Sequence, residues 1–443
     1  MSAQQSTQPN LARIATYALP AIPLAALTLP LYILVPTFYT ETLGLPLAAV
    51  GAALLAVRIF DAVNDPLIGF VADKWRPSFG RRRTLMALAV PVTALSAFMI
   101  FNPPSDATAL YLAAWGMLLT VGYTATVIPF FAWGAELASD YRTRSTVAGW
   151  REAMTLVGTL IAIALPFSLQ ITDPEALHGL ALLGYAVAVS LPIIAAFTIL
   201  RLPEPGEYTR QAISLRDGWG FLLANKPFLR LLGAFFLNGL ANGIPATLFL
   251  YFVSDIIGEP DLRGPLLFLY FLCAIAGVPV AGWASRKIGK HRAWSIGMCC
   301  AVLAFAPVTL LGQGDVLPYA IICAVTGFIV GFDLSIPPAI QADVIDVDTA
   351  SSGEQRSGLY FAAWSLATKL SLALGVGIAF PLLDLFGFQA GAGPTQDADA
   401  LFSLAIIYGW IPIVLKICAI ALVWNFPLNE EDQRALRVKI EAA

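Results

Sequence analysis

The stretch LAVRIFDAVNDPLIGF places Arg58, Asp61 and Asp65 at i, i+3 and i+7, on one face of a helix. Asn64 lies beside that face. Two carboxylates one turn apart repel each other unless a cation or proton sits between them. Hard oxygen ligands of adjustable charge are also what a site for a coupling ion requires. Thr124 falls at a similar depth in another apolar stretch, so its hydroxyl can reach the same ion, giving the set Asp61, Asn64, Asp65 and Thr124 for Na+ or H+. The competing reading has Arg58 neutralising one carboxylate, with the other protonated or facing a cytoplasmic vestibule.

A few other charged groups interrupt apolar stretches: Arg151, Asp333, Lys369 and Lys416. Ionisable groups in a bilayer cost several kcal/mol each, so they pair, face a water-filled space or act on a solute. Lys369 and Asp333 are expected to pair, and solute contact by Lys369 is the equal alternative. Lys416 and Asp333 read as structural. Asn238 and Asn242, one turn apart, suggest a polar stripe towards a central cavity, and interhelical hydrogen bonding would equally explain them. In DKWRPSFGRRR and ELASDYRTRS, the acids Asp73, Glu136 and Asp140 lie near Arg81 and Arg144. Such charge pairs can lock one state of a moving protein, and a solvated helical face is the alternative.

The elements that must position these groups are membrane spans. Of the 443 residues, 58% are hydrophobic and 12% charged, too apolar for a surface facing water. A span takes roughly 20 apolar residues. Candidates lie near 15–40, 45–72, 85–102, 108–137, 146–168 and 178–200, then near 229–253, 264–284, 293–312, 317–343, 357–382 and 401–426. The predicted class is therefore all-α, polytopic, with about twelve spans in two six-helix bundles. Residues 1–200 form the first bundle, 201–227 a polar cytoplasmic linker, 228–426 the second bundle and 427–443 a cytoplasmic tail. Odd-numbered connections carry only Arg263 among their Lys and Arg residues, which places both termini and the basic loops in the cytoplasm of a cell with this inner-membrane protein. The first apolar stretch is too long for a signal-peptide core and reads as a retained span.

Two signatures recur at matching places in the halves, as a parallel internal repeat would leave them. GFVADKWRPSFGRRR from Gly69 is echoed by GWASRKIGKHR from Gly282, and PFFAWGAELASDYRTRS from Pro129 by PPAIQADVIDVDTASSGEQRSG from Pro337. The five cysteines all fall in spans of the second half and read as packing residues. With two histidines in the chain, a histidine metal site is not expected. A membrane enzyme would need a titratable cluster at the membrane surface, and no such cluster is evident. Neither a cofactor nor a nucleic-acid partner is expected, and the protein reads as a monomer in the bilayer.

RIFDAVNDPLIGFVADKW with the following GRRR, YTATVIPFFAWGAELASDYRTRS, and QADVIDVDTASSGEQRSGLYFAAWSLATK together resemble the glycoside-pentoside-hexuronide cation symporters, the melibiose-permease branch of the major facilitator superfamily. The resemblance implies a sodium, lithium or proton site at Asp61, Asn64, Asp65 and Thr124, and solute-side roles for Arg151 and Lys369. Tyr123, Phe131 and Trp364 join these as solute-side candidates. The family's two galactoside-gripping carboxylates fall at Ala25 and Val127, and its fourth-span tryptophan at Phe131. The expected function is cation-coupled symport of a small solute by alternating access, with binding between the halves. Loss of acids at Ala25 and Val127, with Arg151 and Lys369 kept, suits an anionic solute such as a uronate. Lysolipid-type carriage, export by the same fold, and a transporter-like membrane sensor are the alternatives.

Overall fold

The computed structural model describes residues 10–75, 77–137, 141–170, 178–203, 222–352, 357–392 and 396–427. Asp140, linker residues 204–221 and tail residues 428–443 lie outside the described residues, as do the side chains of Asp73, Glu136 and Arg144. Every regular element among the described residues is helical. Contacts divide the chain into two units, Met1–Thr209 and Arg210–Ala443.

In the first unit the chain forms α1 (Leu11–Ala18), α2 (Ala21–Thr37), α3 (Leu47–Lys74), α4 (Arg81–Phe101), α5 (Ala109–Leu137), α6 (Tyr141–Gln170) and α7 (His178–Arg201). In the second it forms α8 (Lys226–Tyr251), α9 (Arg263–Ile288), α10 (Lys290–Phe305), α11 (Val316–Ser352), α12 (Ser357–Leu385) and α13 (Ala398–Val423). Eleven helices among the described residues are long and apolar enough to cross a membrane, α1 and α2 counting as one. The 30-residue α6 is the remaining long helix, and its first turns carry Arg151 and Glu152. The chain is a multi-pass membrane protein. The first span, expected near residues 15–40, is not one continuous helix. It breaks at Leu19 and Pro20, because proline cannot donate to the carbonyl four residues back and its ring crowds that carbonyl.

Each unit repeats the same set of helix pairings. In the first, α3 and α4 pack on α5, α4 on α7, and α2 on α6. In the second, α9 and α10 pack on α11, α10 on α13, and α8 on α12. Local devices recur too. Asn10 accepts from Arg13 N at 2.9 Å, and Asn225 accepts from Phe228 N at 3.0 Å, so the opening helix of each unit has a side-chain cap. Both α2 and α8 widen into a π-helical turn, Phe38–Thr42 and Phe252–Ile256. The echoed basic loops end at Gly80 (φ 110°) and Gly289 (φ 86°), each directly before α4 or α10. Only glycine adopts such angles without strain, which explains why GRRR and GKHR both begin with it.

Small residues let the spans approach closely. The tightest approach is α9 on α11, where a Cβ at Gly331 would collide with the backbone of Ala274, Gly277 and Val278. Gly331→Leu is therefore expected to cost at least about 1–3 kcal/mol, seen as a lower melting temperature of the purified protein in detergent. A variant melting with wild type would contradict this account of the packing.

Candidate functional site

The first-unit site is built on α3. Asp61 is 3% exposed and Asn64 7%, while Asp65 is half-buried. Thr124 on α5, 4% exposed, donates its hydroxyl to Asp65 Oδ1 at 2.8 Å, so the two helices meet at the depth that the sequence set level. Pro66 follows Asp65 directly and has no N–H, leaving the carbonyl of Ala62 without its helical donor. The Asn64 amide nitrogen is buried and donates no hydrogen bond to the described residues. Buried polar groups ordinarily have partners, so this amide is not committed to the scaffold on that side.

Arg58 lies over the Tyr32 ring at 4.2 Å, and its Nη1 is 3.6 Å from Asp61 Oδ2. That separation is an ion pair longer than a hydrogen bond. The two carboxylates thus sit in different electrostatic settings, Asp61 beside a fixed cation and Asp65 beside a hydroxyl. A threonine hydroxyl has both a proton and lone pairs. It can donate to Asp65 without an ion and turn its oxygen to one that binds. Among the described residues no group of three or more His, Cys, Asp or Glu is placed to hold a metal ion. An ion at this place would be held by two carboxylates with neutral oxygens, a donor set suited to a small monovalent cation or a proton.

The solute-side candidates of the first unit separate into two groups. Ala25 is buried and Val127 half-buried, and neither offers a polar group. Tyr123 shares a hydrogen bond of 3.2 Å with Thr28. Arg151 on α6 lies over the Phe131 ring of α5 at 4.4 Å, and Phe131 is itself 48% exposed. Arg151 also donates to Glu152 Oε1, from Nη2 at 2.6 Å and Nε at 3.2 Å. Glu152 was missed by sequence reasoning, although its place next to Arg151 in an apolar helix was the available signal.

In the second unit, Trp364 stacks on Phe235 with ring centroids 3.8 Å apart, and Lys369 lies half-buried on α12. The expected pairing of Lys369 with Asp333 is replaced by another. Lys416 Nζ on α13 reaches Asp333 Oδ2 at 3.5 Å, Asn238 Oδ1 at 2.6 Å and Asn242 Oδ1 at 3.1 Å. Asn242 Nδ2 donates to Asp333 Oδ2 at 2.9 Å, and Trp294 Nε1 donates to Oδ1 at 2.7 Å. Lys416 donates to two amide oxygens and lies in ion-pair range of Asp333, and both Asp333 oxygens accept from neighbouring N–H groups, which is what a charge pair needs to persist out of water. The partners come from α8, α10, α11 and α13, so Asn238 and Asn242 turn into the bundle of their own unit. Trp294 escaped the sequence reading, though an indole N–H in an apolar helix must find an acceptor.

Of the loop charges, Arg81 is half-buried. Arg83 donates to the carbonyl of Leu202. In the echoed loop Lys290 pairs with Asp343 at 2.6 Å, a contact the sequence reading did not single out.

The family model described as MFS/sugar transport protein matches residues 16–430. The chain is 25% identical to the inner membrane symporter YicJ of Escherichia coli K12, over 86% of this chain and 83% of that one. It is 25% identical to the isoprimeverose transporter of Lactiplantibacillus pentosus, over 87% and 82%, and 24% identical to the human sodium-dependent lysophosphatidylcholine symporter 1, over 88% and 78%. Its fold matches the crystal structure of nucleoside transporter NupG with a TM-score of 0.65, 15% identity, and coverage of 93% of this chain and 99% of that one. These relatives and neighbours are transporters, not enzymes.

Proposed function

This chain belongs to the MFS/sugar transport protein family, and from that premise we propose that it moves a sugar, glycoside or uronate across an inner membrane by symport with Na+ or H+. The observation that carries the reading is the pair of buried Asp61 and half-buried Asp65 on α3, with Asp65 bridged to α5 by the Thr124 hydroxyl. Two of the relatives, YicJ and the human lysophosphatidylcholine carrier, are named as symporters, which supports coupled transport. The excess of Lys and Arg in alternate loops supports cytoplasmic termini.

In this reading a cation enters among Asp61, Asn64, Asp65 and Thr124 and removes the repulsion between the carboxylates. It thereby favours the conformation that binds solute. Linkage makes the effect mutual: the ion raises solute affinity and the solute raises the ion's by the same factor. Arg58 competes with the ion for Asp61. Arg58→Met is therefore expected to raise the apparent affinity for the coupling cation by about tenfold, read from a cation titration of solute uptake. An unchanged or weaker cation affinity would leave Arg58 a purely structural role. The proposal as a whole is tested by uptake of neutral sugars, glycosides and uronates into vesicles carrying an inward Na+ gradient, an inward H+ gradient or neither. Uptake that ignores both gradients would refute symport.

A further inference from the structure

Resting on that transport reading, we infer that Glu152 sets solute charge selectivity: together with Arg151 and Phe131 it forms a recognition step for a neutral polyhydroxylated solute and disfavours a carboxylated one. The three groups are contiguous on α5 and α6. The guanidinium lies 4.4 Å over the Phe131 ring, and both of its donors to Glu152 converge on Oε1. Oε2 takes no hydrogen bond from the described residues. The Glu152 side chain is 61% exposed and that of Arg151 23%. A carboxylate that open, on a helix of a membrane bundle, cannot face hydrocarbon and so faces water or a ligand.

The chemistry of the step follows from its charges. Arg151 alone would attract an anion, as the sequence suggested. With Glu152 at 2.6 Å the step carries no net charge, and a solute carboxylate arriving at the guanidinium meets a second carboxylate. Hydroxyl groups suit it better, because they can donate to Oε2 and accept from the guanidinium at once. The exposed Phe131 ring offers an apolar face to the C–H side of a sugar ring. Glu152 also supplies an acceptor that Ala25 and Val127 do not.

The test is uptake by the reconstituted full chain of matched pairs that differ only in a carboxylate, methyl glucoside against methyl glucuronide and galactose against galacturonate, under the cation gradient that drives transport. Wild type is expected to prefer the neutral member of each pair. Glu152→Gln should lower the neutral-to-acidic ratio of kcat/KM by about tenfold, since it removes one unit charge a few ångströms from the incoming carboxylate. Glu152→Asp should keep the wild-type ratio. A wild type that prefers the acidic members, or a Glu152→Gln protein with gradient-driven uptake and an unchanged ratio, would overturn the inference while leaving symport standing. Absence of uptake of every neutral and acidic probe by wild type would instead sink the transport reading, and this inference with it.

Discussion

Asp65→Asn is expected to abolish gradient-driven solute accumulation while leaving solute exchange across the membrane measurable. Asparagine keeps the shape of the side chain and can still accept from the Thr124 hydroxyl, which bonds Asp65 Oδ1 at 2.8 Å, so the α3 and α5 contact should survive. What disappears is the charge that a cation or proton would neutralise. With one carboxylate left beside Arg58, the pair no longer needs a cation to relieve repulsion, and the link between ion and solute is lost. Couplings of this kind are typically worth about 5- to 150-fold in affinity. Reconstituted protein with an imposed gradient should therefore accumulate solute as wild type and merely equilibrate it as the variant. Counterflow between labelled and unlabelled solute distinguishes this from misfolding. Full accumulation by Asp65→Asn would remove Asp65 from the coupling site.

The other large effect is expected in the second unit. The side chains of Lys416 and Asp333 are 10% and 9% exposed, and Lys416→Met would strand the Asp333 carboxylate away from water. Breaking one partner from a buried pair costs about 3–5 kcal/mol, because the remaining charge is uncompensated. Asp333→Asn added to Lys416→Met should restore most of that stability. The amide can still accept from Trp294 Nε1, and its amide donor can meet an Asn242 oxygen without any buried charge. Thermal unfolding in one detergent checks both variants. A single variant as stable as wild type would show that the pair is solvated, and a double variant no better than the single would make Lys416 important for packing alone.

Much of this site was legible because periodicity and depth are properties of one helix at a time. Arg58, Asp61 and Asp65 share a face by spacing alone, and the level of Thr124 follows from counting along two spans. The repeat was legible in Gly80 and Gly289, since a positive φ demands glycine wherever the same turn recurs. The choice of partner between helices was not. Lys369 and Lys416 both lie in spans of the second unit, and nothing in their spacing says which one turns towards Asp333. That is fixed by how α13 rotates against α8. Glu152 was overlooked because neighbouring positions on a helix point apart, whereas the long Arg151 side chain bends back to reach it. The break at Pro20 was hidden among prolines that nearly every span contains and tolerates.

In the proposed mechanism, Glu152 and the cation residues would divide the work of the first unit. Asp61, Asn64, Asp65 and Thr124 would respond to the ion, while the open face of Phe131, Arg151 and Glu152 would meet the solute. Both groups use α5 and its neighbours, with Thr124 and Phe131 about two turns apart on that helix. A shift of α5 against α3 on ion binding would move Phe131 as well, which gives the linkage a physical route.

The central claim, that the Asp61 and Asp65 pair couples a cation to solute, is tested most directly by measuring solute affinity of the purified protein as Na+ is raised at fixed pH and as pH is lowered without Na+. Solute affinity should rise about 5- to 150-fold with one of these ions in wild type and stay flat in Asp65→Asn. A wild-type solute affinity indifferent to both Na+ and pH would contradict it.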